Sequence, residues 1–572
     1  MRTADLALWA TLALACQPAR DPRQFVVAVD APVKDLDPRL ATDGPSARLS
    51  RLVFRGLTQV DDHGAPALDL AAELTLVTPL QARVQLRGDA RFHDGQPVTA
   101  DDVAYTYATV MDPAFGTSIG GEFRKRFARV VADPKDPLRV HLHLRKPLAT
   151  LGTDLVLGIA PAHLLRGRPR DRFEGPPVGS GPWRVVGSGR GERVLLEQVA
   201  ANAPGPRRLL FAAIADEGAR ALSVLGGGAD IAWGGLSPAI LQGAAHAGHA
   251  RVMRGDGIAL TYLGLNLRLS PLHLADVRLA LALAIDRPTL VATVQGGRAR
   301  LADGLFAPGH WARTPLPQTP FDPQRALQLL DKAGLRPGPD GARLHLQIKV
   351  STSRQRRQLA RALADQWRAI GVDAHVQPLE LATFLADVRA GRFEVFVLQL
   401  PEPFEPDQLT WMLHSDNAAV KTPDPASTSP YAALDRRGIS PSAWSEAVAA
   451  TDPACAGWQL GKRREGLRAF ALAATGSGSA VGSANRTGYH HPAVDCWLDL
   501  GGAELERPRR AVWYGKAQRQ IAEDRPIVPL WWEDASALVA DDVTLDAMPA
   551  DGRYAALASL RRVTPQLPHP PP

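Results

Sequence analysis

Stretches with the apolar spacing of a strand alternate with stretches that have the apolar spacing of a helix along most of the chain. The runs "FVVAV" (25–29) and "LRVHLHLRKP" (138–147) show the continuous or period-two pattern that is typical of strands. Residues 46–57, with Leu49 and Leu52 on one face, show the spacing of a helix. These stretches predict a chain that is built from alternating strands and helices.

The stretch "RFHDGQPVTADDVAYTY" (91–107) combines a strand end, a turn and a helix start. Asp94 precedes a glycine that can reach positive φ without steric cost. Thr99 and Asp102 have the spacing of a capping box, with the acid at the positive end of the helix dipole. No nucleophile and orienting group can be assembled around His93 and Asp94, so we interpret them as part of the turn and not as a catalytic pair.

From residue 258 onward, the pattern becomes that of an open α/β unit. Asp322, Pro323 and Gly334 supply the N-cap, the first helical position and the end of one helix. Strand patterns alternate with helical patterns, which predicts an α/β lobe. The strand patterns are 259–267, 344–350 and 373–379, and the other helical patterns are 276–294 and the basic amphipathic stretch 354–371.

Length and charge exclude several classes of protein. A chain of 572 residues exceeds one hydrophobic core, so we expect two or three domains. The net charge of +7 is spread along the chain and forms no basic block, which disfavours nucleic-acid binding. No Gly-Lys-Ser/Thr and no G-x-G-x-x-G follows a strand, so we expect neither a nucleotide nor another cofactor.

The N-terminus has the pattern of an export signal. Arg2 precedes an apolar run at 6–15 that is too short to anchor a helix in a membrane. Cys16 directly after Ala15 is typical of a lipidation site, which predicts a signal peptide at 1–15 and a lipid-anchored tether at 16–24. Ordinary cleavage and secretion is the alternative, and both place the body of the protein in the cell envelope or outside the cell.

Two further cysteines, Cys455 and Cys496, lie in one region of the chain. In an oxidising compartment they can pair, and two buried thiols are the alternative. Residues 417–484 are rich in Ser, Pro, Gly and Ala and have weak periodicity, which indicates an insertion. Residues 564–572, "TPQLPHPPP", are predicted to be a disordered tail.

Several stretches together resemble one family. The stretch 91–107 is similar to the signature region of the bacterial extracellular solute-binding proteins of the oligopeptide/dipeptide/nickel class (family 5), which are receptors of ABC importers. Five other stretches are also similar to the family. All six stand in the order that the family has, and the resemblance covers about 25–545. The five others are "LDPRLATD" with 51–73, "VGSGPWRVV" (178–186), 262–287, "YHHPAVDCWLDL" (489–500) and "IAEDRPIVPLWW" (521–532).

The resemblance implies an α/β, two-lobe periplasmic-binding-protein-like fold of class II type, with an extra subdomain in the first lobe. It also implies how the chain divides. We expect lobe I at 25–56 and 178–257, its extra subdomain at 57–177, lobe II at 258–512 with the insertion, and a return to lobe I at 513–563.

The resemblance also implies a ligand site between the lobes. In peptide-binding members, an acid that lies three residues before an acid-Pro step pairs with the ligand's α-amino group. Here Glu402 has that position before Glu405, and a solvent-exposed acid is the alternative. Arg354 is the candidate for the ligand carboxylate, although it is out of register with the family pattern. Trp411 is a candidate for the wall of the cleft, and packing within a lobe is the alternative.

We expect no metal site. His141 and His143 share one face of a strand, but no third ligand follows at a useful spacing. The adjacent rings of His490 and His491 point apart in an extended stretch.

The sequence therefore predicts a monomeric substrate-binding lipoprotein of the periplasm that is not an enzyme. It would capture peptides or a similar small solute and deliver them to an ABC permease and its ATPase, anchored to the membrane through its lipid. One alternative is a receptor-fold lipoprotein with a degenerate cleft that acts as a sensor or adaptor. Another is a secreted hydrolase, although no S-x-x-K or H-E-x-x-H is present.

Overall fold

The computed structural model describes residues 21–61, 65–400, 405–417, 452–456 and 485–563. The predicted signal peptide, Cys16, Glu402 and the predicted tail lie outside the described residues, as does most of 417–484. An eleven-stranded sheet runs through both lobes, and three smaller sheets accompany it.

The first part of the chain starts lobe I and then builds the extra subdomain. A four-stranded antiparallel sheet carries this subdomain, with its strands in the spatial order Ala71–Thr78, Gln81–Leu86, Arg139–Leu144 and Phe127–Ala132. The elements are β1 (Gln24–Val29), α1 (Gly44–Val53), β2 (Thr58–Val60), β3 (Pro66–Leu68), β4 (Ala71–Thr78), β5 (Gln81–Leu86), α2 (Ala100–Met111), α3 (Gly120–Arg126), β6 (Phe127–Ala132), β7 (Arg139–Leu144), α4 (Leu151–Asp154) and α5 (Ala162–Leu165).

Helix α2 packs on the subdomain sheet as its sequence pattern predicts. Val103, Tyr107 and Val110 are buried in one cluster with side chains from β5 and β7. The predicted capping box is present, and the Asp102 carboxylate accepts from the Thr99 N–H at 2.8 Å. The helix is therefore fixed at its start by local chemistry and along its length by apolar burial.

Lobe I resumes after the subdomain. Strands β1, β10 and β11 are parallel, and β8 and β9 extend the sheet at its edge. The elements are β8 (Trp183–Val186), β9 (Arg193–Gln198), β10 (Arg208–Ala213), α6 (Glu217–Leu225), β11 (Ile231–Trp233) and α7 (Pro238–His246).

A turn ties the subdomain to lobe I, and His93 is part of it. The His93 N–H donates to the Gly179 carbonyl at 2.8 Å, the Gly179 N–H donates to His93 Nδ1 at 3.2 Å, and Nε2 lies 2.9 Å from the Gly181 carbonyl oxygen. Nδ1 is therefore an acceptor and Nε2 the donor, which is the neutral ring. Burial, the main cause, lowers the pKa of His93. His93 fixes the turn, which agrees with the structural interpretation.

Strand β12 (Ala250–Leu265) carries the chain into lobe II, and β17 (Ile527–Ala540) carries it back. The two strands are antiparallel neighbours along almost their whole length, and their pairing is irregular between Gly255 and Ala259. Residues 250–255 pair with 535–540 beside lobe I, and 259–264 pair with 527–533 in lobe II. The irregular stretch is therefore the hinge between the lobes.

Lobe II packs helices on both faces of its part of the sheet, around two apolar clusters. Cys455 and Cys496 are joined by a disulfide in one of these clusters, with Cα atoms 6.2 Å apart. The elements are α8 (Ala275–Leu283), α9 (Arg287–Val294), β13 (Ala299–Leu301), α10 (Pro323–Lys332), β14 (Leu344–Ser351), α11 (Arg354–Arg368), β15 (Val372–Leu379), α12 (Leu381–Arg389), β16 (Val395–Leu400), α13 (Asp407–Leu413), α14 (Pro492–Ala503) and α15 (Arg507–Asp524).

The single helical pattern predicted at 276–294 is two helices in the structure. Asp286 is the N-cap of the second, where its carboxylate accepts from the Thr289 N–H at 3.0 Å, and Pro288 occupies the first turn. A proline and an N-cap acid start a new helix, although the apolar stripe continues across the break.

Residue 513, where we expect the return to lobe I to begin, lies within α15. Tyr514, Ala517 and Ile521 of α15 are buried in a lobe II cluster. The chain therefore crosses along β17, and β18 (Val543–Thr544) and β19 (Arg561–Arg562) close the first lobe. There Arg562 forms an ion pair with Asp230 at 2.8 Å.

Gly179, which accepts and donates the hydrogen bonds of His93, allows a direct test of the packing that holds this turn against α1 of lobe I. A Cβ on Gly179 would lie 1.9 Å from the Val53 carbonyl oxygen, whereas a Cβ on Gly175 would meet nothing within 4 Å. We expect Gly179→Ala to lower the free energy of unfolding by about 2–3 kcal/mol, because rigid backbone has to move. Gly175→Ala should stay within about 0.5 kcal/mol of the parent protein. Chemical denaturation measures both, and equal stabilities would contradict the packing described.

Candidate functional site

The parallel strands of both lobes end at the hinge. In lobe II, Val395 pairs with Leu265, and Leu400 at the other end of β16 pairs with Leu260, close to the irregular stretch. In lobe I, β11 runs toward the same stretch, since its last residue, Trp233, pairs with Ala537. Ligands of open α/β sheets bind in the crevice beyond the carboxyl ends of the strands. Here two such edges meet, and the hinge forms the bottom of the crevice between them.

An ion pair in lobe II stands at this edge. Arg356, in the first turn of α11, lies 3.1 Å from the Glu533 carboxylate and donates to the Thr261 hydroxyl at 3.0 Å. The side chain of Arg356 is only 14% exposed. The pair joins the start of α11 to both crossing strands, so it fixes the lobe II wall of the crevice.

Five charged residues surround the irregular stretch itself, and we call them the hinge cluster. They are Arg254, Asp256, Arg298, Arg300 and Asp534. Arg300 donates to the Gly257 carbonyl at 2.7 Å and lies 3.1 Å from the Asp256 carboxylate. Burial raises the pKa of Asp534, and Arg300 and Arg254 act in the opposite direction. Burial also lowers the pKa of Arg298, and the charge of Arg254 adds to that effect. The cluster carries three cations and two acids.

On another side of the crevice, the subdomain contacts lobe II through a partly buried acid. The Thr153 hydroxyl donates to Glu405 at 3.0 Å, and Arg510 lies 3.1 Å from the same carboxylate. Arg510, whose side chain is only 4% exposed, also donates to the Ala149 carbonyl at 3.3 Å. We call Thr153, Ala149, Glu405 and Arg510 the interlobe contact.

Burial is the main influence on the charges of the interlobe contact. It raises the pKa of Glu405 to about 7, although Arg510 acts in the opposite direction. Burial also raises the pKa of Asp154, next to Thr153 in the subdomain. The contact therefore disfavours ionised carboxylates when the lobes are together.

Of the predicted site residues, Arg354 and Trp411 line different cavities. Arg354 is exposed on the outer face of α11, where it lines a groove with Arg357 and Arg361. Trp411 is 48% exposed and lies under the Arg486 guanidinium at 5.6 Å, in a separate small cavity. Glu402 follows β16 by two residues and lies outside the described residues. All three assignments stay predictions.

Sequence reasoning missed Arg356 and Arg510. Arg356 stands in the same arginine-rich run as Arg354, and two helical positions rotate a side chain by about 200°, toward the sheet. The position of the helix start, at Arg354, determines that Arg354 and Arg356 lie on different faces of α11. Nothing local marks Arg510, because its partners in the interlobe contact are distant in sequence.

The histidine pairs have structural partners. His141 lies 2.9 Å from Asp133, and His491 caps α14 by accepting from the Val494 N–H at 3.3 Å. Within the described ranges, no group of three or more His, Cys, Asp or Glu side chains could hold a metal ion. No helix in that same part of the chain is long and apolar enough to span a membrane.

Known proteins are similar to this chain in sequence and in fold. Residues 66–420 match the family model described as "Bacterial extracellular solute-binding proteins, family 5 Middle". A dipeptide-binding protein of Pseudomonas aeruginosa is 23% identical over 380 residues, which cover 60% of this chain and 70% of that protein.

Two solved structures share the fold. The crystal structure of NikZ from Campylobacter jejuni with Ni(L-His) has a TM-score of 0.70 at 21% identity, and covers 95% of this chain and 100% of its own. DppA from Helicobacter pylori, in complex with the peptide STSA, has a TM-score of 0.68 at 18% identity, and the match covers 94% of this chain and 98% of that one. The family match spans more than half of the sequence, and the fold agrees over nearly all of it. The chain belongs to the family 5 bacterial extracellular solute-binding proteins.

Proposed function

We propose that this protein captures peptides in the interlobe crevice and delivers them to an ABC permease. The observation that supports this function best is the meeting of two carboxyl edges at a hinge of two strands. Such a hinge lets the lobes close on a ligand, and closure is favoured by whatever the ligand contacts only in the closed state. The dipeptide-binding relative and the peptide complex of the H. pylori protein support a peptide cargo.

We assign the cargo's α-amino group to Glu402. Strand β16 ends at Leu400, so Glu402 follows directly from the carboxyl edge that borders the crevice. Glu405, three residues further on, is already engaged with Thr153 and Arg510. A carboxylate that pairs with an ammonium group away from water contributes about 1.5–3 kcal/mol net.

We further propose that Cys16 carries a lipid anchor that holds the receptor at the membrane of the cell envelope. The short apolar run and the cysteine after Ala15 support this assignment. A tethered receptor stays close to its permease, which raises its effective concentration there. Mass spectrometry of the purified protein should find an acylated N-terminal cysteine, and an unmodified N-terminus would contradict the anchor.

The cargo can be identified directly. We expect native mass spectrometry of the protein purified from a bacterial cell envelope to release a ladder of peptides. Glu402→Gln should then weaken the binding of a synthetic peptide from that ladder at least about tenfold in isothermal titration calorimetry, because one charge-assisted bond is lost. Glu506→Gln, at an exposed acid of lobe II, is the matched control and should leave affinity unchanged.

The outcomes of this experiment separate two claims. Unchanged affinity in Glu402→Gln would move the ammonium site elsewhere while the function stands. If no peptide is released and none raises the melting temperature, the proposed function is wrong.

The interlobe contact makes closure sensitive to pH. With the subdomain in contact with lobe II, the pKa of Glu405 is about 7, above its ordinary value of 4.5, so a closure that forms this contact takes up a proton. Protonation of Glu405 therefore favours the closed state most below pH 4.5, the ordinary pKa of the carboxyl group. This advantage is lost as the pH rises through about 7. We expect peptide affinity to be up to about tenfold tighter at pH 6 than at pH 8.

Glu405→Gln tests this sensitivity because it mimics the protonated side chain at every pH. Its affinity profile between pH 6 and pH 8 should be flatter than that of the parent protein. Identical profiles would show that another group governs the dependence; Asp154 is the nearest alternative, and Asp154→Asn identifies it.

A further inference from the structure

The hinge cluster contains guanidinium groups that the protein does not fully satisfy. No carboxylate of the described residues lies within 4.0 Å of Arg254 or Arg298, although Asp534 stands close enough to influence both. Nη1 of Arg298 and Nε of Arg300 are buried and meet no acceptor in the described part of the chain. Two buried N–H donors of the hinge cluster, both on charged groups, therefore have no hydrogen-bond acceptor among the described residues.

Unsatisfied donors of this kind are costly. More than nine-tenths of buried polar groups in folded proteins have a hydrogen-bond partner, and an unmet donor on a charged group loses its solvation without compensation. Arg298 has a further cost, because Arg254 is a like charge in its neighbourhood. An anion among these side chains would relieve both costs.

The two acids of the cluster do not fill this role. Asp256 pairs with Nη1 of Arg300, but its side chain is 80% exposed, so water screens the pair. Within the described residues, no guanidinium group donates a hydrogen bond to the Asp534 carboxylate within 3.5 Å. Burial already disfavours the ionised form of Asp534. Three cations against two acids leave a net charge of about +1 at a partly desolvated place.

We propose that the hinge cluster is an oxyanion-binding site, which takes a carboxylate or a phosphate between Arg298 and Arg300. The planar guanidinium group presents its N–H donors in a fork that matches two oxygens of such a group. A carboxylate or a phosphate offers a separate oxygen to each side chain, whereas chloride offers one atom and does not match the guanidinium fork. The site goes beyond the proposed function, and only the identification of the anion with the cargo's own carboxylate rests on that function.

The position of the cluster gives the anion a second effect. Arg300 lies in β13 and Arg298 directly before it, and β13 pairs with β17 in lobe II. Arg254 lies on the other side of the irregular stretch, where it pairs with Ser536 beside lobe I. An anion between Arg298 and Arg300 that also contacts Arg254 bridges the hinge. It binds one angle between the lobes better than others and shifts the population toward that angle.

Anion binding can be measured on the full chain. We expect inorganic phosphate and sulfate, at constant ionic strength against sodium chloride, to raise the melting temperature in a saturable way. Arg298→Gln should weaken phosphate binding at least about tenfold, since it removes a charge-assisted pair. Arg361→Gln, an exposed arginine of α11 in lobe II, is the matched control and should bind phosphate as the parent protein does.

A second variant keeps the test valid if Arg298→Gln does not fold. Arg254 is exposed, so Arg254→Gln should fold, and we expect it to weaken phosphate binding by a smaller factor. The inference is overturned if phosphate and chloride stabilise the protein equally, or if phosphate binds the hinge variants and the parent protein with the same affinity.

Peptide measurements identify the source of the anion. If the cargo's carboxylate occupies the site, a C-terminal amide should bind more weakly than the free acid, and phosphate should compete with the free acid alone. Equal affinity of amide and acid, with saturable phosphate binding, assigns the site to a separate anion. Peptide binding without anion binding overturns this inference alone, and anion binding without peptide binding overturns the proposed function alone.

Discussion

The antiparallel pairing of two long strands is the constraint on which the rest of the structure depends. Strands β12 and β17 have 16 and 14 residues, and each belongs to both lobes. Their backbone hydrogen bonds hold the lobes together, and the wider of two irregularities in their pairing, after Gly255, lies where the chain passes from one lobe to the other. Interruptions of this kind bend and twist a strand pair. The lobes therefore share one sheet and still have a defined point about which to move.

That arrangement concentrates charge where the lobes meet. The lobe II wall of the crevice carries Arg356, in the first turn of α11, and Glu533, on β17, and the hinge cluster follows in sequence beside Glu533. Across the crevice, Glu405 is partly buried and accepts a hydrogen bond from Thr153 of the subdomain. Closing the lobes changes the surroundings of ionisable groups, so protons and anions couple to closure through the same geometry that admits the cargo.

Local chemistry could be predicted from the sequence, and long-range chemistry could not. The cap at Asp322, with its bond to the Arg325 N–H at 2.8 Å, and the helix start at Thr99 depend on residues within one turn. The break before Arg287 was missed because the apolar stripe outweighed a cap signal that was present. Glu405 and Thr153 are separated by 252 positions, so no local pattern encodes their contact. The family resemblance supplied the lobes, but not which arginine faces the crevice.

The central claim is that two lobes close about the paired strands. Pulsed dipolar spectroscopy between spin labels at Leu222→Cys on α6 and Gln358→Cys on α11, both exposed positions, measures this movement directly. The account predicts two interlobe distances in protein stripped of cargo and a single shorter one after peptide is added. One unchanged distance under both conditions would contradict it.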